Sequence, residues 1–189
     1  MSLIDKMKER VMDIINPDVD YTQEDFNKEF SNTNINTENF KLGVNFVNTS
    51  TNPNPEYATA GASGFDLRAS LTEVITLPAG QRTIVPTGLF FQIPDNFEIT
   101  IRSRSGLAAK NGVVVLNSPG TIDADYTGEI KVILINHGDE PFTINNGDRI
   151  AQAVLTQVIS KSVINLLQVD KILTKTERNS NGFGSTGIN

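Results

Sequence analysis

Residues 41–174 read as an all-β domain, a barrel or a sandwich. Three observations lead there. Short apolar runs recur from residue 42 to residue 155; Gly, Pro, Asn and Asp clusters punctuate them at roughly 8–12-residue spacing; and no long helical period interrupts them. Taken in order, strands are expected over 42–47, 73–77, 83–85, 89–93, 97–101, 113–116, 130–135, 142–144 and 150–155. Turns come from Pro78-Ala-Gly80, Pro94-Asp-Asn96 and Asn145-Asn-Gly-Asp148, because Pro presets φ while Gly and Asn tolerate left-handed backbone. The runs 113–116 and 130–135 flank a Gly- and Asp-rich connection, which predicts a β-hairpin with Asp123, Asp125 and Tyr126 in one tight turn.

Two segments depart from this pattern. Residues 1–40 form an N-terminal extension, helical or partly disordered. Leu3, Met7, Val11, Ile14 and Ile15 recur at helical spacing, with Ser2 placed to cap and Pro17 to stop the helix. A second helical piece is expected over 22–30, and the polar stretch 31–38 reads as a linker. The extension is either a loosely docked appendage or an amphipathic element for an unidentified protein partner. Residues 175–189 form a C-terminal arm rich in Gly, Ser and Asn with a single Phe.

The totals exclude several kinds of chemistry. A chain of 189 residues with 38% hydrophobic and 20% charged residues can build one packed domain plus an appendage. The net charge of −6 argues against a nucleic-acid partner, which calls for a basic face. Without cysteine there are neither disulfides nor thiolate metal sites, and with His137 the single histidine, Ser-His-Asp triads and His-rich metal centres are not expected. His137 reads as a surface loop residue. No apolar run approaches the ~20 residues of a membrane span, and the N-terminus lacks an apolar signal core, so a cytoplasmic protein is expected, in the host cytoplasm if the chain is viral.

Four further segments share the character of the 120–129 turn. In 55–69, small residues precede Asp66 and Arg68, charges inside a strand-like run; the alternative is a tight turn with a surface ion pair. In 102–110, Arg104, Ser105 and Gly106 offer a guanidinium fork, a hydroxyl and backbone N–H groups to phosphate; equally, Ser105 can serve as a helix N-cap. In 145–152, Gln152 lies in an apolar strand and needs a partner, either backbone or ligand. In 178–187, Phe183 sits between glycines with Arg178, Ser185 and Thr186 as donors, a composition suited to stacking on a base and gripping phosphates.

In this order and spacing, the five segments resemble the five motifs of the trimeric dUTPases, and the resemblance covers nearly all of the chain after residue 41. It implies a jelly-roll or β-clip barrel that assembles as a homotrimer with active sites shared between subunits, the C-terminal arm of one chain closing over a site formed by others. It implies hydrolysis of dUTP to dUMP and pyrophosphate by in-line attack of water on the α-phosphorus. That reaction limits uracil incorporation into DNA and supplies dUMP for thymidylate synthesis. Mg²⁺ is the implied cofactor, held by substrate phosphates and water with no direct protein ligand.

Carried over residue by residue, the resemblance makes Asp123 the general base. Asn117 and the backbone of Gly120, Thr121, Ile122 and the residues up to Tyr126 face the uracil edge, and Tyr126 packs under the deoxyribose, leaving no room for a 2′-hydroxyl. Arg104, Ser105, Gly106 and Gln152 contact phosphate. Arg178, Gly184, Ser185 and Thr186 grip the γ-phosphate, Phe183 stacks, and Asp66 is a supporting group, either on the metal or phosphate side of the shell or a structural anchor for the arginines. The chain departs from the family pattern at Ser103, where Pro is frequent, at Phe65, and at Asn179 and Asn181, where Gly is usual. Two other functions are weighed against this one. A dCTP deaminase on the same fold would carry a Glu inside the strand at 130–135, and none is there. A regulatory binding protein on the same scaffold would use residues 1–40.

Overall fold

In a computed structural model, residues 42–159, 164–172 and 176 are described; the expected N-terminal helices and nearly all of the C-terminal arm lie outside them. Among the described residues, eleven strands and one short helix follow in the order β1 (Asn45–Asn48), β2 (Phe65–Arg68), β3 (Ile75–Leu77), β4 (Arg82–Pro86), β5 (Leu89–Gln92), β6 (Phe97–Arg102), α1 (Ser105–Asn111), β7 (Val113–Val115), β8 (Gly120–Ile122), β9 (Lys131–Asn136), β10 (Phe142–Ile144) and β11 (Arg149–Gln157). The all-β expectation holds, and each expected strand has a counterpart, with ends shifted by a few residues.

The strands build two larger sheets, β2-β11-β6-β8 and β4-β9-β7, and two ribbons, β1-β5 and β3-β10, with antiparallel pairing throughout. Alternation decides which face is buried. In β9, Val132, Leu134 and Asn136 point inward; in β2, Phe65 and Leu67 do so while Asp66 and Arg68 stay partly exposed. Leu67, Val85, Ile99, Ile130, Leu134, Ile144 and Ile150 form the centre of the core. Burying each such side chain contributes about 1.5–3 kcal/mol. Asn136 is fully buried among them, yet its amide donates to Leu77 C=O and Glu140 C=O while its oxygen accepts from Gly138 N–H, so no polar atom is stranded.

One expectation needs correction. The runs around 113–116 and 130–135 do pair, Val115 opposite Leu134, but the connection between them is not a tight turn. Its start, Gly120–Ile122, is β8, which crosses to the other sheet and pairs with β6. Thr121 and Ile122 are β-branched and favour a strand. Gly120 permits the crossing, since a side chain there would meet Ile101 Cβ at 3.3 Å. Only the end of the segment turns sharply, with Tyr126 N–H donating to Asp123 C=O at 3.1 Å. His137 is exposed on a loop, as expected.

Candidate active site

The four-stranded sheet brings separate segments into one row. Asp66 on β2 stands opposite Gln152 on β11, and Gln152 stands opposite Arg102 on β6. The adjacent row, Phe65, Ala153, Ile101 and Gly120, is buried throughout. Period-2 alternation therefore turns the first row away from the core while the second row holds it in place.

The polar row is tied by specific bonds. Arg104 Nε donates to Asp66 Oδ1 at 2.9 Å, and Arg149 donates to Asp66 Oδ2 at 3.2 Å. Arg104 also donates to Arg149 C=O at 3.1 Å. The surface pair of Asp66 with Arg68 weighed from sequence does not form: Arg68 donates instead to Gly147 C=O at 2.9 Å. Gln152 Nε2 finds a backbone partner, Ser103 C=O, at 2.9 Å. Ser103 Oγ accepts from Val115 N–H at 2.9 Å, so the residue that departs from the family pattern fastens this loop to β7.

Arg149 is the residue that sequence reading passed over. It lies three positions before Gln152, and in a regular strand the two would face opposite ways. A register shift between Arg149 and Ala151 against β2 puts them on one face, a β-bulge of the kind found beside active sites. The available signal was a lone arginine at the head of an apolar run just after Asn145-Asn-Gly-Asp148.

Next to this row, α1 begins at Ser105. The expectation that Ser105 caps the helix is corrected: Arg104 occupies the N-cap position with extended backbone, and no side chain caps the helix. Ser105 and Gly106 are exposed in the first turn, so its free N–H groups stay open. Gly112, at φ 68°, closes the other end, donating its N–H to Ala108 C=O.

A second group follows β8. This strand is at the edge of its sheet, so its outer side has no paired strand among the described residues. Asn117 lies beside it, its Nδ2 3.1 Å from where a Gly120 Cβ would be. Asp123 is exposed directly after the strand, and Tyr126, 45% exposed, donates its hydroxyl to Glu129 C=O at 3.0 Å. Among the described residues, no hydrogen bond or ion pair joins this group to Asp66, Arg104 or Gln152. Arg178, Phe183, Gly184, Ser185 and Thr186 lie outside the described residues. No group of three or more His, Cys, Asp or Glu suited to a metal ion occurs among the described residues, and both oxygens of Asp66 already face arginines. A protein-built metal cage does not fit this site, whereas a cation held by phosphate and water does.

The fold class is one shared with phage enzymes. The Staphylococcus bacteriophage 80alpha dUTPase with dUPNHPP superposes with a TM-score of 0.69 at 23% identity, covering 78% of this chain and 100% of that one. The phage phi11 dUTPase, described with a structural Mg(II) ion, gives 0.60 at 22% identity, covering 69% and 98%. At the level of sequence, the deoxyuridine 5'-triphosphate nucleotidohydrolase of Rhizobium rhizogenes is 53% identical over 136 residues, 71% of this chain and 85% of that protein. That of Cytophaga hutchinsonii is 50% identical over 153 residues, 81% of this chain and 97% of that protein. The dUTPase family pattern matches residues 51–187. The chain belongs to the dUTPase family.

Proposed function

We propose that this chain hydrolyses dUTP at sites assembled from the two groups just described. The reaction is that of its family: dUTP and water give dUMP and pyrophosphate, by attack of water on the α-phosphorus. The observation that carries the assignment of residues is the row Asp66–Gln152–Arg102, where three distant segments meet at one end of one sheet with Arg104 bound to Asp66.

In this reading Asp66 is a positioning residue. Its two oxygens orient Arg104 and Arg149, leaving the other guanidinium N–H groups to face phosphate in fork geometry. Ser105, Gly106 and the uncapped first turn of α1 add donors, and Gln152 completes the phosphate contacts through its side-chain oxygen while its amide stays on Ser103. The outer edge of β8, Gly120 to Ile122, presents backbone N–H and C=O groups to the uracil edge beside Asn117. Uracil offers N3–H as donor and O4 as acceptor, cytosine reverses that pattern, and a site built for one rejects the other strongly. Asp123 accepts a proton from the attacking water, and Tyr126 lies under the deoxyribose. Arg178, Phe183, Gly184, Ser185 and Thr186 close the site. Mg²⁺, bound by the triphosphate and water, supplies charge neutralisation at the phosphates.

Two observations support a homotrimer with shared sites. The phosphate group and the Asp123 group are held separately within one chain. The outer face of β4-β9-β7 carries Ile84, Ile133, Ile135 and Val114, and Leu166, Leu167 and Ile172 are 73–93% exposed. Apolar side chains left on such surfaces are candidates for burial between subunits. The deaminase alternative fails on position: Glu129 precedes β9, and its carboxylate binds the Gly88 N–H. Among the described residues, no helix is long and apolar enough to cross a membrane. We place the protein in the cytoplasm and assign residues 1–40 to a separate appendage.

The test is pyrophosphate release with Mg²⁺ from dUTP, dCTP, dTTP and UTP in parallel. Release from dUTP alone is expected; release from none of them overturns the assignment.

A further inference from the structure

Tyr126 is too exposed for packing alone to hold its ring, and two neighbours without a role so far do the holding. The ring folds back over Gly128: a Cβ there would stand 2.6 Å from the Tyr126 hydroxyl oxygen and 2.7 Å from Cζ, distances that side-chain carbons do not adopt. The hydroxyl then donates to Glu129 C=O at 3.0 Å. Glu129 is itself fastened elsewhere. Its Oε1 accepts the N–H of Gly88, in the turn between β4 and β5, at 2.9 Å, and its Oε2 lies 3.5 Å from Lys131 Nζ. The same turn holds the next residue twice: Thr87 Oγ1 donates to Ile130 C=O at 2.6 Å, and Ile130 N–H donates to Leu89 C=O at 2.8 Å. A chain of bonds therefore runs from the buried turn at 87–89, through Glu129, to the Tyr126 hydroxyl.

We propose that Gly128 and Glu129 are positioning residues for sugar selection, forming a cradle that immobilises Tyr126 so that the ring excludes a ribonucleotide. This rests on the reading of Tyr126 as the deoxyribose platform. A steric wall rejects one extra hydroxyl only if it cannot move aside, so selectivity depends on what fixes the ring as well as on the ring itself. Gly128 lets the ring lie flat on the backbone, and Glu129 anchors the carbonyl that receives its hydroxyl. Both act through the ring, Gly128 by leaving room for it and Glu129 by holding its hydrogen-bond acceptor.

The experiment is kcat/KM for dUTP and for UTP on the full chain, with thermal melting of each variant. Glu129→Ala is expected to lower the dUTP-to-UTP ratio about tenfold, the scale of one or two lost hydrogen bonds. Glu129→Gln, which keeps an oxygen for the Gly88 N–H, is expected to restore most of it. Gly128→Ala, which pushes on the free end of the ring, should lower the ratio independently of Glu129. Ile144→Val, a cut in the core on the β3–β10 ribbon, away from the 87–89 turn, should lower the melting temperature and leave the ratio alone. An unchanged ratio in Glu129→Ala overturns the proposal; should that variant fail to fold, an unchanged ratio in Gly128→Ala does so. Wild-type protein that hydrolyses no dUTP would instead overturn the underlying assignment, and the cradle with it.

Discussion

The group around Asp66, Arg104 and Gln152 and the group around Asp123 and Tyr126 are built on different principles. Asp66, Gln152 and Arg102 sit on three adjacent strands, β11 pairing with β2 on one side and β6 on the other, and their buried neighbours Phe65, Ala153 and Ile101 lock the register beneath them. Asp123 and Tyr126 sit beyond the end of an edge strand, in a turn held by a backbone bond from Tyr126 to Asp123 and a side-chain bond from Tyr126 to Glu129. The first arrangement suits a grip on a highly charged group, where fixed donors cost no reorganisation when the ligand arrives. The second suits discrimination, because an edge strand still has backbone groups to offer. The price is that the loop's geometry rests on single residues, so point changes should act more sharply there than on the sheet.

Mutation separates the two groups. Asp123→Asn is expected to lower kcat by ~10²–10⁴-fold while dUTP still binds, the range typical of a lost general base; a near-normal kcat in stopped-flow or steady-state assays would remove Asp123 from that role. Asp66→Asn leaves Arg104 and Arg149 adjacent without their shared countercharge. It should reduce kcat/KM roughly 10–100-fold, mainly through KM, since bonds to charged groups are worth about 1.5–3 kcal/mol. An effect confined to kcat would show that Asp66 acts on the chemistry instead. Phe183→Ala should weaken turnover by about five- to tenfold, at the lower end of base–aromatic stacking, with melting unchanged; unaltered kinetics would make the arm dispensable. Ser103→Ala strands the Val115 N–H and is expected to destabilise the chain by about 1 kcal/mol, read by urea unfolding, with a smaller kinetic effect. Deleting residues 2–38 should leave turnover unchanged, and a large fall in kcat would tie the extension to the site.

Much of this was legible in the chain. Strand periodicity and turn residues were enough for the all-β class, because short-range pattern reports which faces are buried, whereas Asp66, Arg104 and Gln152 were chosen through the resemblance of the five segments to the dUTPase motifs. What misled was local too. Thr121-Ile122 beside Asp123 reads as part of a turn until β6 is there to pair with it, and Ser105 reads as a cap until the backbone starts the helix one residue earlier than a cap requires. Arg149 was invisible as a partner of Asp66 for a related reason: alternation counted along β11 puts it on the wrong face.

The strands and turns, and the segments that bring the proposed site residues, follow from the amino-acid order alone, since propensity and hydrophobic period are local properties. Which of those residues share a face does not. The bulge at Arg149–Ala151, the crossing of β8 to a second sheet and the bond from Glu129 to Gly88 each join positions far apart in the chain. They exist because register is a property of paired strands, and a shift of one residue in one strand reverses every side chain beyond it.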